Sequence, residues 1–176
     1  VKDFHELDPS ERPEGEVIQH EPPASERSLA RRIGLQILYE VDSANHQVGS
    51  VMAVHLAARQ VNKKTSRYVR RLVNGVMIYR DALDGAISQF APEWPLDQMA
   101  IVDRNILRLA IYEFGIHTTT PVGVAIDEAV QLAKLFGAES SPGFINGVLG
   151  ALADDDAMLQ QLRAPAEPDD DGEQGE

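Results

Sequence analysis

Arg27, Arg31 and Arg32 fall within a single short run at the start of a predicted helix. Cations there oppose the helix dipole, whose N-terminal end favours acids. A position that breaks a local rule is a candidate functional position. Arginine carries a planar fork of donors that fits a phosphate, so the chemistry on offer is anion binding. A second basic run, Lys63, Lys64, Arg67, Arg70 and Arg71, has Tyr68 embedded in it. Cations for phosphates plus an aromatic face for a base are what contact with RNA requires. The same residues also read as solubilising surface arginines and an ordinary half-buried tyrosine.

Other chemistry finds little support. The sequence holds no G-x-x-x-x-G-K-[ST], G-x-G-x-x-G or G-x-S-x-G pattern, so phosphate-loop, dinucleotide and nucleophile-elbow enzymes are not indicated. His55 has no cysteine or acid at metal-ligand spacing, and no histidine pair has zinc spacing. Glu113 and His117 are i, i+4 neighbours and read as a surface pair. Asp127 and Glu128 are adjacent, so on a helix they diverge by about 100°. Asp154–Asp156 read as a solvated run. The chain is therefore expected not to be an enzyme and to need no cofactor or metal. Cysteine is absent, which excludes thiol chemistry and a disulfide framework and fits a cytoplasmic protein. No apolar run reaches the ~18 residues of a membrane span, and no signal segment opens the chain.

The charge of −12 over 176 residues is unevenly distributed. Residues 1–24 carry seven acids and two bases, and residues 164–176 carry six acids and no base. Both stretches are poor in large apolar groups and are expected to be disordered. Between them, residues 27–80 hold ten bases against two acids, and residues 81–163 hold four bases against twelve acids. A basic half suits a polyanion such as RNA, and an acidic half suits a basic protein. The organisation expected is an acidic tail over 1–24, a helical domain over 25–160 and a second acidic tail over 161–176.

Periodicity supplies the elements that must position these residues. Leu29, Ile33, Ile37 and Val41 predict a first helix over about Ser25–Asp42, capped by Ser25 or Ser28. A second helix follows over about Gly49–Val61. A third carries Leu72, Val73, Val76, Leu83, Ile87 and Phe90 and ends at Pro92, with Gly75 inside it marking a close helix approach. Trp94, Leu96 and Met99 are expected to form a short apolar helix or turn. Asp103 is expected to open a long helix with Ile106, Leu107, Ala110, Ile111 and Phe114 inward. In Pro121–Gly150, Pro121 opens a helix carrying Ile126, Ala129, Val130 and Ala133, and Gly137 is expected as a left-handed cap. Ser141 and Pro142 then start another helix, with Phe144, Val148 and Leu152 as its stripe. No period-2 alternation appears. The fold class is all-α, a compact bundle of about seven helices.

Several stretches together resemble the NusB family of bacterial transcription antitermination factors. They are ARRIGLQILYE at Ala30–Glu40, RLVNGV at Arg71–Val76, WPLDQMAIVDRNILRLAIYEF at Trp94–Phe114, and AIDEAVQLAKLFG with FINGVLG inside Pro121–Gly150. The resemblance covers about residues 26–152. It implies a two-lobed helical bundle that pairs with NusE, also a small-subunit ribosomal protein. Together the two bind boxA RNA in ribosomal operon leaders and act on RNA polymerase. By resemblance, Arg27, Arg31 and Arg32 correspond to the arginine-rich helix start that contacts RNA. Tyr68 corresponds to an RNA-stacking tyrosine, and Ser140 and Phe144 to a corner that touches RNA. Phe144 is equally a core residue by its periodicity. Tyr39, Asp97 and Asp103 fall at positions facing NusE. Two departures stand out: Gly143 replaces a basic residue before the corner phenylalanine, and Ser28 interrupts the arginines. The alternatives are a protein-interaction module, homodimeric or NusE-binding, without RNA contact, and the NusB-like N-terminal domain of a ribosomal RNA cytosine methyltransferase. The second of these goes with catalytic cysteines, which this sequence lacks.

Overall fold

Ser25 starts the first helix. Its backbone is extended and its hydroxyl accepts from the Ser28 amide at 3.0 Å, satisfying an N–H that the first turn leaves open. The helix, α1, runs Glu26–Ala44. The computed structural model describes residues 22–164. Of the tails expected to be disordered, 1–24 and 161–176, residues 1–21 and 165–176 lie outside the described residues. After α1 come α2 (Val48–Arg59), α3 (Lys63–Ile78), α4 (Arg80–Phe90) and α5 (Ile101–Ile111). A π-helical turn, Tyr112–Ile116, follows, then α6 (Val122–Phe136), α7 (Ser141–Ala153) and α8 (Asp156–Arg163). The described residues are all-α, with no strand, and no helix among them is long and apolar enough to cross a membrane.

α5 is the shared element. It packs against α1 and α3 on one side and against α4, α6 and α7 on the other, which gives the expected two lobes. Ile33 and Ile37 of α1, Leu72 and Val73 of α3, Leu83 and Ile87 of α4, Ile106 and Ile111 of α5, and Ile145 and Leu149 of α7 are all buried in one core. Ile33 and Ile37, Leu83 and Ile87, and Ile145 and Leu149 lie four apart, so apolar periodicity gives these packing faces directly.

Four expectations are corrected. The single helix expected from Lys63 to Phe90 is two. Tyr79 joins them, with its amide bonded to the Gly75 carbonyl and its carbonyl accepting from Leu83. Arg80, just past the break, reaches Asp42 at 3.1 Å. Gly137 is not left-handed: its φ is −90° and its ψ is −178°. Its glycine is instead required by crowding, because a Cβ there would lie 2.6 Å from the Ser141 Cβ. Asp103 lies inside the first turn of α5, after Ile101, and does not open it. Finally, Asp156 belongs to α8, capped by the Asp155 side chain, and this helix carries the folded chain past residue 160 to Arg163.

Gly75 behaves as expected. A Cβ there would lie 2.1 Å from Tyr112 Cζ, so the Tyr112 ring lies directly on the α3 backbone. An ionic lattice ties α1 to α4 and α5. Asp42 accepts from Arg104 at 2.7 Å, from Arg108 and Asn105 at 3.0 Å and from Arg80 at 3.1 Å. Arg108 also forks onto Asp84 at 2.6 and 3.0 Å. Burial opposes ionisation of Asp42, but the bonds from Arg104 and Asn105 and the charges of Arg108 and Arg104 outweigh it and bring its pKa to about 2.

Candidate nucleic-acid interface

Arg27 and Arg31 are four residues apart and share one face of α1. The ring of Tyr68, from α3, meets both. The guanidinium carbons lie 5.4 Å (Arg27) and 5.8 Å (Arg31) from its centroid, within cation–π range. The two arginines are otherwise unlike. Arg27 is exposed. Arg31 is 3% exposed, and its Nε and Nη2 each donate to one Glu113 oxygen at 2.8 Å. Its Nη1 faces Glu128 at 3.3 Å. The surface placement expected for Arg31 is therefore corrected: it is an internal ion pair that holds Tyr68 from behind.

Glu113 is the hub of this cluster. It is 2% exposed and also accepts from the Tyr68 hydroxyl and from Thr120 Oγ1, the latter at 3.0 Å. The expected Glu113–His117 surface pair is thus corrected too. Burial works against the Arg31 charge, but the bonds and charge of Glu113, with Tyr68 and Glu128, raise its pKa overall. Burial first, then the Glu113 carboxylate, pushes the Tyr68 hydroxyl upward. Tyr68 therefore stays neutral, its hydroxyl donating inward.

Above this buried base opens a groove of about 400 Å³, lined by Ser25, Glu26, Arg27, Lys64, Thr65, Arg67, Tyr68 and Arg71. Lys64, Arg67, Tyr68 and Arg71 recur at i, i+3, i+4 and i+7, a single helical face. That spacing was the available sign that Lys64, Arg67 and Arg71 join Tyr68. The arrangement offers exposed cations around an aromatic ring fixed by its hydroxyl, which suits phosphates and an unstacked base.

Arg32 is set apart. Five residues from Arg27, it is turned by about 140° around α1 and lines a smaller cleft with Ser28, Glu128 and Gln131. Ser28 is buried, and its hydroxyl donates to Glu128 at 2.9 Å. Its place among the arginines therefore has a structural reason, a tie between α1 and α6.

The second expected RNA group lies on other elements. Ser140 is exposed before α7, and Phe144 is half-buried one turn later. Trp94, from the α4–α5 connection, meets Phe144 edge-on at 6.2 Å and is 57% exposed. With Phe90, Gly143 and Gly147 they line a shallow cleft. Reading Trp94 as part of a plain apolar turn missed it; its exposure depends on an irregular segment that has no period.

Of the positions expected to face a protein partner, Tyr39 is 45% exposed. It borders a groove of about 630 Å³ with Gln36, Glu40, His55, Val102 and Phe136. Asp97 is exposed in the α4–α5 connection. Asp103 is buried. Its Oδ2 accepts from the Ser141 hydroxyl at 3.0 Å, and its Oδ1 has no hydrogen-bond partner among the described residues. Burial raises its pKa, and the Ser141 bond only partly opposes this. The described residues contain no cluster of three or more histidines and acids able to hold a metal.

The sequence model of the NusB family matches residues 28–154. A transcription antitermination protein NusB from Dehalococcoides mccartyi strain CBDB1 is 46% identical, covering 72% of this chain and 89% of its own length. One from Streptomyces avermitilis is 42% identical, covering 78% of this chain and 98% of its own length. Among solved structures, T. maritima NusB superposes with a TM-score of 0.67 at 29% identity, covering 79% of this chain and 93% of the other. A NusB solved with NusE and double-stranded RNA gives 0.67 at 26%, over 72% and 95%. With the helical fold of the described residues superposing on a solved NusB and the family model matching across the bundle, this chain belongs to the NusB family.

Proposed function

We propose that this chain is a cytoplasmic transcription antitermination factor that binds boxA leader RNA of ribosomal operons together with NusE and so acts on RNA polymerase. The observation that carries this reading is the groove in which Arg27, Lys64, Arg67 and Arg71 surround the Tyr68 ring. In this reading Arg27 and Tyr68 contact RNA directly, and Arg31 positions Tyr68. Arg32, Ser140 and Phe144 serve flanking nucleotides. NusE docks at the Tyr39 groove with Asp97 alongside, and the buried Asp103 lies beneath that surface. The family resemblance and the named complex of a relative with NusE and double-stranded RNA support this assignment.

The test is binding of a labelled boxA RNA, with and without purified NusE, against a scrambled RNA. Arg27→Ala with Arg67→Ala should weaken RNA binding and leave folding and NusE binding intact. Each lost phosphate contact lowers the salt slope by about 0.7 for single strands. A second reading, a protein adaptor without RNA contact, draws on the internal pairing of Arg31. It would stand if the double substitution left boxA affinity unchanged.

A further inference from the structure

We propose that Arg71 and His117 form a phosphate-binding pair at the edge of the Tyr68 groove, and that His117 takes up a proton when the RNA phosphate arrives. This deepens the RNA-binding reading and rests on it.

The pair is built by the π-turn. In an α-helix, residues five apart are turned from one another by about 140°. In Tyr112–Ile116 the His117 amide instead bonds the Tyr112 carbonyl at 2.8 Å, the i→i+5 pattern of a π-turn. The two rings therefore stack, 5.8 Å apart with an interplanar angle of 1°. Tyr112 is held from below by α3 at Gly75 and flanked by Tyr79 at 6.3 Å. The imidazole is thus fixed with Nε2 3.4 Å from Arg71 Nη1, and Arg71 itself lines the groove.

An Nε2 that accepts from Arg71 carries no proton, so this contact favours the neutral ring in the free protein. Burial and then the Arg71 charge lower the His117 pKa, while Glu113 acts in the opposite direction. Arg163, from α8, is turned to the Gly115 and Phe114 carbonyls. The Arg71 bond is long and ends on a neutral acceptor, so a phosphate oxygen displaces it readily. The negative charge then reverses the local preference. His117 Nε2 gains a proton from solvent and donates it to a second oxygen of the same phosphodiester.

The sign follows from linkage. Binding raises the pKa of His117, so affinity rises as pH falls through the bound-state pKa and levels off below the free-state pKa. The experiment titrates a labelled single-stranded boxA RNA into the full chain from about pH 8 to about pH 6, with calorimetry in two buffers of different ionisation heat. The wild type should bind roughly tenfold tighter at the acidic end, with uptake of up to one proton. His117→Gln should lose the acidic gain and the proton uptake. His117→Phe preserves the stack on Tyr112 and should do the same, which separates a lost nitrogen from a damaged fold. A pH profile and proton uptake unchanged in both variants, or absent in the wild type, would overturn the pair. A wild type that binds no RNA at any pH overturns the RNA-binding reading, and the pair with it.

Discussion

Arg31 and Glu113 face each other through two bonds of 2.8 Å, with side chains only 4% and 3% exposed. Removing one partner strands a buried charge, which costs about 3–5 kcal/mol. Arg31→Ala should therefore lower stability by that order in urea unfolding, whereas exposed Arg27→Ala should change it by less than about 0.5 kcal/mol. Equal stabilities for the two variants would refute the assignment of Arg31 to the interior.

Gly75→Ala tests the contact beneath Tyr112. Alanine gains about 1 kcal/mol of helix propensity. The new methyl must displace a ring that a Cβ would meet at 2.1 Å, and overpacking of this kind costs about 1–3 kcal/mol or more. The expected net result is a lower melting temperature. A variant as stable as the parent would show that Tyr112 can move away freely.

The Asp42 lattice predicts an acid transition. Its pKa of about 2, against an ordinary 3.8, is a depressed value. The stabilisation is full above the unfolded-state pKa and is lost as pH falls from about 4 toward 2, amounting to about 2 kcal/mol. Asp42→Asn should remove that portion of the pH dependence while weakening the protein at neutral pH. Stability curves of the two proteins that run parallel between about pH 5 and about pH 2 would refute this.

Gly143 offers a gain. A Cβ there meets nothing within 4 Å, and Phe144 and Trp94 lie beside it. Gly143→Lys adds a cation to that cleft and about 1 kcal/mol of helix propensity. RNA affinity should rise severalfold at low salt, with a salt slope steeper by about 0.7. Unchanged affinity across a salt series would place the RNA path away from the α7 corner.

Helix positions and packing faces were legible because Ile33, Ile37, Leu72 and Val76 repeat at the period of a helix. The break at Tyr79 was not, because the apolar stripe continues across it and no proline or glycine marks it. Nor was the burial of Arg31, whose partner Glu113 lies 82 residues away. The charge asymmetry between the halves of the sequence misled in a specific way. Arg31 of the basic half is bound to Glu113 and Glu128 of the acidic half, and Arg80 contacts Asp84. That part of the contrast is neutralised within the fold. What remains exposed around Tyr68 is the part that spacing on α3 could identify.

The wide turn at Tyr112–Ile116 makes residue count, rather than residue type, decide which ring covers Tyr112. Wound as an ordinary α-helix at the same length, it would turn the imidazole about 140° from Tyr112 and away from Arg71. A chain of this architecture with a regular turn at that point would lack the acid response proposed for His117, even with every groove side chain unaltered.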